Sequence, residues 1–153
     1  MRPLTPHTAH QSAVGRIFLA LSRWVDETGT GRAFLAPFDV VLSPTDVVEP
    51  DLLYLSNARL DRLTTANVQG APDLAIEVLS PGTAGRDRAT KRRIYERFGV
   101  SEYWLVDPEE RTLLQVRFGE TAGGGERLWG EAERAASPTL PGLFLAVGDL
   151  FAG

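Results

Sequence analysis

Two acidic residues stand in apolar company. Asp51 lies within VVEPDLLYL (residues 47–55), and Glu77 lies within DLAIEVL (73–79). Both segments read as strands. Strand alternation puts Asp51 on one face with Leu53 and Leu55, and Glu77 on one face with Ala75 and Leu79, opposite Leu74, Ile76 and Val78. A carboxylate in a half-buried strand costs several kcal/mol unless it is paired, hydrogen-bonded or bound to metal. Two such acids on consecutive strands can meet on one face and hold a hard cation through oxygen. The other reading of each is a charge at a sheet edge, or one satisfied by an arginine or a backbone amide.

A third residue stands out by its rarity. Of 16 basic residues, 15 are arginine, and Lys91 is the one lysine. It falls in the helical segment 86–99, where positions 87, 91, 94, 95 and 98 share a stripe. Ile94, Tyr95 and Phe98 make that stripe the buried one, so Lys91 and Asp87 face the sheet. A compact ammonium can sit beside a phosphate as a point charge, or have its pKa tuned, where a guanidinium cannot. The plainer alternative is an Asp87–Lys91 helix pair with a snorkelling stem. The same helix carries Arg86, Arg88, Arg92, Arg93 and Arg97. Arg92, Arg93 and Arg97 lie off the apolar stripe, as a phosphate-contacting face or as a solvated one.

The elements that must position these residues can be read in order. Residues 11–28 form an amphipathic helix with Val14, Ile17, Phe18, Leu21 and Val25 on one stripe, ended by Gly29 and Gly31. Strands are predicted over 32–42, where Pro37 marks an edge or bulge, and over 47–55, with Asp51 in the middle. Residues 57–70 read as a connection, and 73–79 as a third strand. The flexible loop SPGTAG (80–85) leads into the helix over 86–99, closed by Gly99. Strands follow over 102–107 and 112–118. A glycine-rich hairpin connection covers 120–126, the segment 127–135 pairs back, and a last strand with a helical turn closes the chain. This order points to an α/β arrangement, bordering on α+β, with a mixed sheet.

Composition narrows the function classes. The chain has 153 residues, 43% of them apolar and 24% charged, which fits an ordinary folded domain rather than a disordered chain. It has no cysteine, which excludes disulfides, thiol nucleophiles, iron–sulfur clusters and cysteine-bound zinc. No apolar run approaches the roughly 18 residues of a membrane span, and the N-terminus lacks a signal-peptide core. The net charge of −4 weighs against non-specific coating of nucleic acid without excluding a basic patch. The two histidines, His7 and His10, are spaced i, i+3, which could bind metal; near the N-terminus they are expected instead to be solvent-exposed. No GxxxxGK[ST] phosphate loop is present, and Ser80 lacks the glycines of a nucleophile elbow.

Taken in order, EPDL (49–52), GAPDLAIEVLSP (70–81), Asp87, Lys91 and Tyr95, GVSEYWLVDP (99–108) and LPGL (140–143) resemble the putative restriction endonuclease family, often called Uma-two, of the PD-(D/E)XK nuclease superfamily. The block from Gly70 to Pro108 is the specific part. The resemblance implies a restriction-endonuclease-like core, a central mixed β-sheet flanked by helices, and metal-dependent hydrolysis of DNA phosphodiester bonds. Carried over by position, Asp51 is the PD aspartate and Glu77 the second acid. The superfamily's lysine normally lies two residues beyond that acid, where this chain has Leu79, so the resemblance assigns its role to Lys91. Asp73, in a second PD dipeptide, reads as a residue at the start of its strand or at most a secondary ligand.

In the mechanism so implied, Asp51, Glu77 and the backbone carbonyl of Val78 hold one or two Mg²⁺ (or Mn²⁺) ions. Lys91 orients the attacking water or offsets charge on the phosphorane. Arg88, Arg92 and Arg93 position the nucleic acid, with Asp87 and Tyr95 in support. Relatives usually begin with a further segment, so the chain is expected to be one domain, residues 1–153, short at its N-terminus. DNA is the expected partner, a homodimer is the expected assembly for cutting two strands, and the cytoplasm is the expected location, with no membrane attachment. The alternative is a degenerate nuclease fold that binds nucleic acid or protein; a regulatory or structural partner that binds no nucleic acid is the third class. The acidic charge and the short N-terminus favour the degenerate fold, and the two acids with the lone lysine weigh against it; a salt-sensitive DNA shift separates it from the third class.

Overall fold

Pro6 begins the first helix, where its fixed φ and missing N–H suit the opening turn. The computed structural model describes residues 6–80, 86–119 and 125–152, with backbone alone for residues 6, 7, 86 and 87. Helix α1 spans Pro6–Thr28 and α2 spans Arg86–Arg97. The strands are β1 (Gly31–Leu35), β2 (Val40–Val41), β3 (Val47–Val48), β4 (Leu52–Ser56), β5 (Val68–Gln69) and β6 (Leu74–Val78) before α2. After it come β7 (Glu102–Asp107), β8 (Thr112–Arg117), β9 (Gly125–Trp129), β10 (Arg134–Ala136) and β11 (Phe144–Ala146). Short 3-10 helices cover Asn57–Arg62 and Val147–Phe151.

The main sheet has six strands in the order β1-β4-β6-β7-β8-β9. Its one parallel pair is β6–β7, joined through α2 as a parallel crossover requires; its other neighbours are antiparallel. This is the mixed α/β arrangement expected from the order of elements. Alternation on β6 sends Leu74, Ile76 and Val78 into the core under α1, with Ile17 and Leu21. It sends Ala75 to the opposite face, where Tyr95 of α2 packs with Tyr103 and Leu105. Glu77 therefore faces α2, the helix that carries Lys91. Each large apolar side chain so buried contributes about 1.5–3 kcal/mol.

Several boundaries differ from the expectations. α1 begins one turn before residue 11, which brings His10 onto the helix. The strand expected over 32–42 splits. Ala36 N–H still bonds the Asp51 carbonyl, at 3.0 Å, but Pro37 has no N–H to continue the ladder. β2 then joins β3 and β5 in a separate three-stranded sheet. The strand over 47–55 also splits, at Pro50, so Asp51 stands in a bend just before β4 rather than in mid-strand. Within 127–135, the chain pairs back on β8 through β9, but β10 pairs with β11 instead. Most of the glycine-rich connection and most of the SPGTAG loop lie outside the described residues. Gly99, at φ +91°, ends α2 in a conformation that side-chain-bearing residues rarely adopt.

A second buried acid has a structural role. Glu102 is fully buried on β7 and accepts hydrogen bonds from Ser137 Oγ (2.6 Å), Thr139 Oγ1 (2.9 Å), Trp104 Nε1 (2.5 Å) and Gln115 Nε2 (3.1 Å). Trp129 Nε1 donates in turn to Gln115 Oε1 at 2.9 Å, so the network ties β7, β8, β9 and the 137–139 turn together. Glu102→Ala takes the acceptor from Ser137, Thr139 and Trp104 and leaves Gln115 Nε2 with the Ala136 carbonyl alone. It is expected to lower unfolding stability by about 3 kcal/mol or more, read as a fall in the denaturation midpoint.

Candidate active site

The β4–β6 register builds the site. Leu52 pairs with Ile76 and Leu53 with Ala75, so one step further along the antiparallel ladder sets Asp51 across from Glu77. The bend at Pro50 takes the Asp51 backbone off the ladder, and its side chain takes over the pairing: Val78 N–H donates to Asp51 Oδ2 at 2.7 Å. Val78 thus holds Asp51 through its amide. Both acids sit where β6 ends, beside the only parallel strand pair of the main sheet.

Glu77 is buried and engaged from α2. Tyr95 O–H donates to Oε2 at 2.6 Å, and Lys91 Nζ lies 3.3 Å from Oε1. Tyr95 and Lys91 are four residues apart, one turn of the same helix face. Burial raises the Glu77 pKa above the usual carboxylate value; the Tyr95 hydrogen bond and the Lys91 charge pull it back, and Asp51 pushes it up again. Tyr95 is raised by burial and by the facing negative charge, so it remains a proton donor. The lone lysine turns towards the sheet, as its place on the apolar stripe predicts, and its partner is Glu77.

The histidine reading needs correction. His10 is not turned to solvent; its Nε2 comes within 3.3 Å of Asp51 Oδ2, with the side chain about one-quarter exposed. The signal was in the sequence, because His10 precedes Val14 by four residues and so continues the apolar stripe of α1. Val78 N–H and His10 both address Oδ2, the oxygen of Asp51 that is engaged among the described residues. His10→Ala is expected to weaken Mn²⁺ binding by about tenfold, with His10→Gln closer to the parent, in a calorimetric titration of folded protein. Near the site, the neighbouring Asp39 carboxyl and partial desolvation raise the Glu49 pKa, with Asp51 adding to it.

The remaining expected residues divide. Arg88 is exposed and borders a small cavity with Glu77 and Lys91. Arg93 is exposed on α2. Arg92 is ion-paired with Glu126 of β9 in a partly exposed pair, so a phosphate would compete with that carboxylate for it. Asp73 stands at the opposite end of β6 from Glu77. It accepts from Ser56 N–H at 2.6 Å and lies 3.6 Å from Arg59 Nε, which makes it a structural clasp rather than a secondary ligand. The side chains of Asp87 and His7 are not described.

Among the described residues, no group of three or more His, Asp or Glu side chains gathers as a cation site. The donor set at β6 is two carboxylates. That suits a cation such as Mg²⁺, which binds through one or two carboxylates and keeps water and phosphate as its other ligands. No described helix is long and apolar enough to cross a membrane.

The fold is similar to the crystal structure of a putative nuclease belonging to DUF820 from Anabaena variabilis ATCC 29413. The TM-score is 0.75 at 23% identity, over 94% of this chain and 80% of that one. No curated protein matches the chain. Residues 1–148 match Uma2, described as "Putative restriction endonuclease", and the chain belongs to that family.

Proposed function

We propose that the protein is a metal-dependent endonuclease that hydrolyses DNA phosphodiester bonds. The observation that carries this reading is the convergence of Asp51, Glu77 and Lys91 from three separate elements at the end of β6. A bound Mg²⁺ or Mn²⁺ would supply polarisation of a phosphoryl oxygen and a more acidic water.

This chain's residues do the rest. Asp51 and Glu77, with the Val78 carbonyl, would hold the cation, and the Val78 amide and His10 fix the rotamer of Asp51. Tyr95 keeps the Glu77 carboxylate aimed by donating to one of its oxygens. Lys91 places a positive charge where the phosphorane gains negative charge, without moving during the reaction. Arg88 and Arg93 draw in the DNA backbone, which makes binding fall with salt. A homodimer, bringing two such sites to the two strands, and action in the cytoplasm belong to the same reading.

Supercoiled plasmid tests it. The protein should nick the plasmid in Mn²⁺ or Mg²⁺ and be silenced by EDTA and by Asp51→Ala. Well-folded protein that cuts in neither metal would refute the nuclease reading. A salt-sensitive gel shift of the same plasmid would then favour the binding module.

A further inference from the structure

Tyr103 is 2% exposed, and among the described residues its hydroxyl is a buried side-chain polar atom with no hydrogen-bond partner. Buried polar groups in folded proteins are nearly always paired, so an orphan at a site asks what pairs with it. Its place is specific. Tyr103 pairs with Ala75, and Leu105 with Glu77, in the parallel β6–β7 ladder, so Tyr103 shares the α2 face with Glu77. Its ring packs on Tyr95, with centroids 5.2 Å apart.

Tyr103 borders a cavity of about 50 Å³ whose other polar walls are Glu77, Arg88 and Lys91. That space takes a phosphoryl group's oxygen or a water, and is too small for a base or sugar. The donor balance favours the anion. Glu77 is already engaged by Lys91 and Tyr95, which leaves the Arg88 guanidinium and the further N–H groups of Lys91 at the space, with Tyr103 and its unpaired phenol in the wall. Burial and the Glu77 charge hold Tyr103 above its ordinary pKa, in its donor form.

We infer that this cavity seats a non-bridging oxygen of the scissile phosphodiester, with the Tyr103 O–H donating to it beside Arg88 and Lys91. The inference rests on the nuclease reading and adds a substrate-binding residue to it. Tyr103→Phe tests it, since phenylalanine keeps the ring contact with Tyr95 and deletes only the unpaired hydroxyl. With enzyme in excess over supercoiled plasmid in Mn²⁺, the nicking rate is expected to fall about 10- to 100-fold, the effect of one hydrogen bond to a charged group. Calorimetric Mn²⁺ affinity should stay at the parent value, and the melting temperature should be no lower.

An unchanged nicking rate would overturn the inference, with the hydroxyl then satisfied by water. A rate that falls together with Mn²⁺ affinity would also overturn it, because Tyr103 would then act through the cation's ligands. A parent protein that never nicks refutes the nuclease reading instead. The inference is in that case judged by binding of a fluorescein-labelled DNA duplex in Ca²⁺. Weaker binding by Tyr103→Phe upholds a phosphate seat, and equal binding removes it.

Discussion

Glu77→Gln is expected to reduce metal-dependent plasmid nicking by about a thousandfold or more while leaving the metal-free protein at least as stable as the parent. The loss follows from the role of a carboxylate in holding a divalent cation against phosphate, where the ion contributes several kcal/mol of charge stabilisation. The stability follows from burial. Desolvation raises the Glu77 pKa above its unfolded-state value, more than the Tyr95 hydrogen bond and the Lys91 charge lower it. A carboxyl raised in this way favours the fold while protonated, and that contribution is lost as pH rises through the folded-state value. At a pH above the folded-state value the parent carries a desolvated negative charge that glutamine lacks, whereas glutamine still accepts from Tyr95. The variant should therefore melt at or above the parent on the alkaline side of a pH series, with the gap closing in acid, where Glu77 is protonated. Adding Mn²⁺ should raise the parent's melting temperature more than the variant's. A variant that unfolds at all pH values would show Glu77 to be a packing residue. One that nicks at the parent rate would place the chemistry elsewhere.

Much of this site was legible because it depends on two short periodicities. The alternation of LAIEV put Glu77 on the face opposite Leu74, Ile76 and Val78, and the helical spacing of Lys91, Ile94, Tyr95 and Phe98 turned the lysine towards the same face. What stayed hidden depends on contacts distant in sequence. Arg92 reads as one of several exposed cations until β9 brings Glu126 beside it. Asp73 reads as a repeat of the PD dipeptide until Ser56 and Arg59, from the preceding strand and 3-10 helix, claim its carboxylate. Glu102 drew no attention in a buried strand, since nothing local announces that Ser137 and Thr139 return to satisfy it. The divided strands had a local cue in Pro37 and Pro50, which interrupt ladders, yet the three-stranded sheet formed by β2, β3 and β5 is a tertiary choice. His10 depends on where α1 begins: a helix from residue 11 leaves it outside, and one from Pro6 carries the apolar stripe back to it and sets it against Asp51.

Lys91→Ala is expected to slow nicking by about 100- to 1000-fold, comparable to losing one preorganised donor to a developing oxyanion, and to move the acid limb of the pH–rate profile upward. The two effects have one origin. Lys91 Nζ lies 3.3 Å from Glu77 Oε1, and its charge lowers the pKa of a carboxyl that burial raises. Without it, Glu77 holds its proton to higher pH, and a cation must displace that proton to bind. More Mn²⁺ is then needed for half-maximal activity at neutral pH, and the deficit narrows as pH rises. A residual loss at high pH and saturating Mn²⁺ isolates the part that Lys91 plays on the phosphate itself. Lys91 is over one-third exposed, so its removal should leave the melting temperature little changed. Lys91→Arg separates charge from shape. A guanidinium restores a cation near Glu77, and with it the pH limb, but its planar fork does not match a compact ammonium beside a cavity of about 50 Å³ that Arg88 also borders, so the rate should stay low. An arginine variant with the full parental rate would show that any cation serves. An alanine variant with an unshifted pH limb would show that Lys91 and Glu77 are not coupled in the working enzyme.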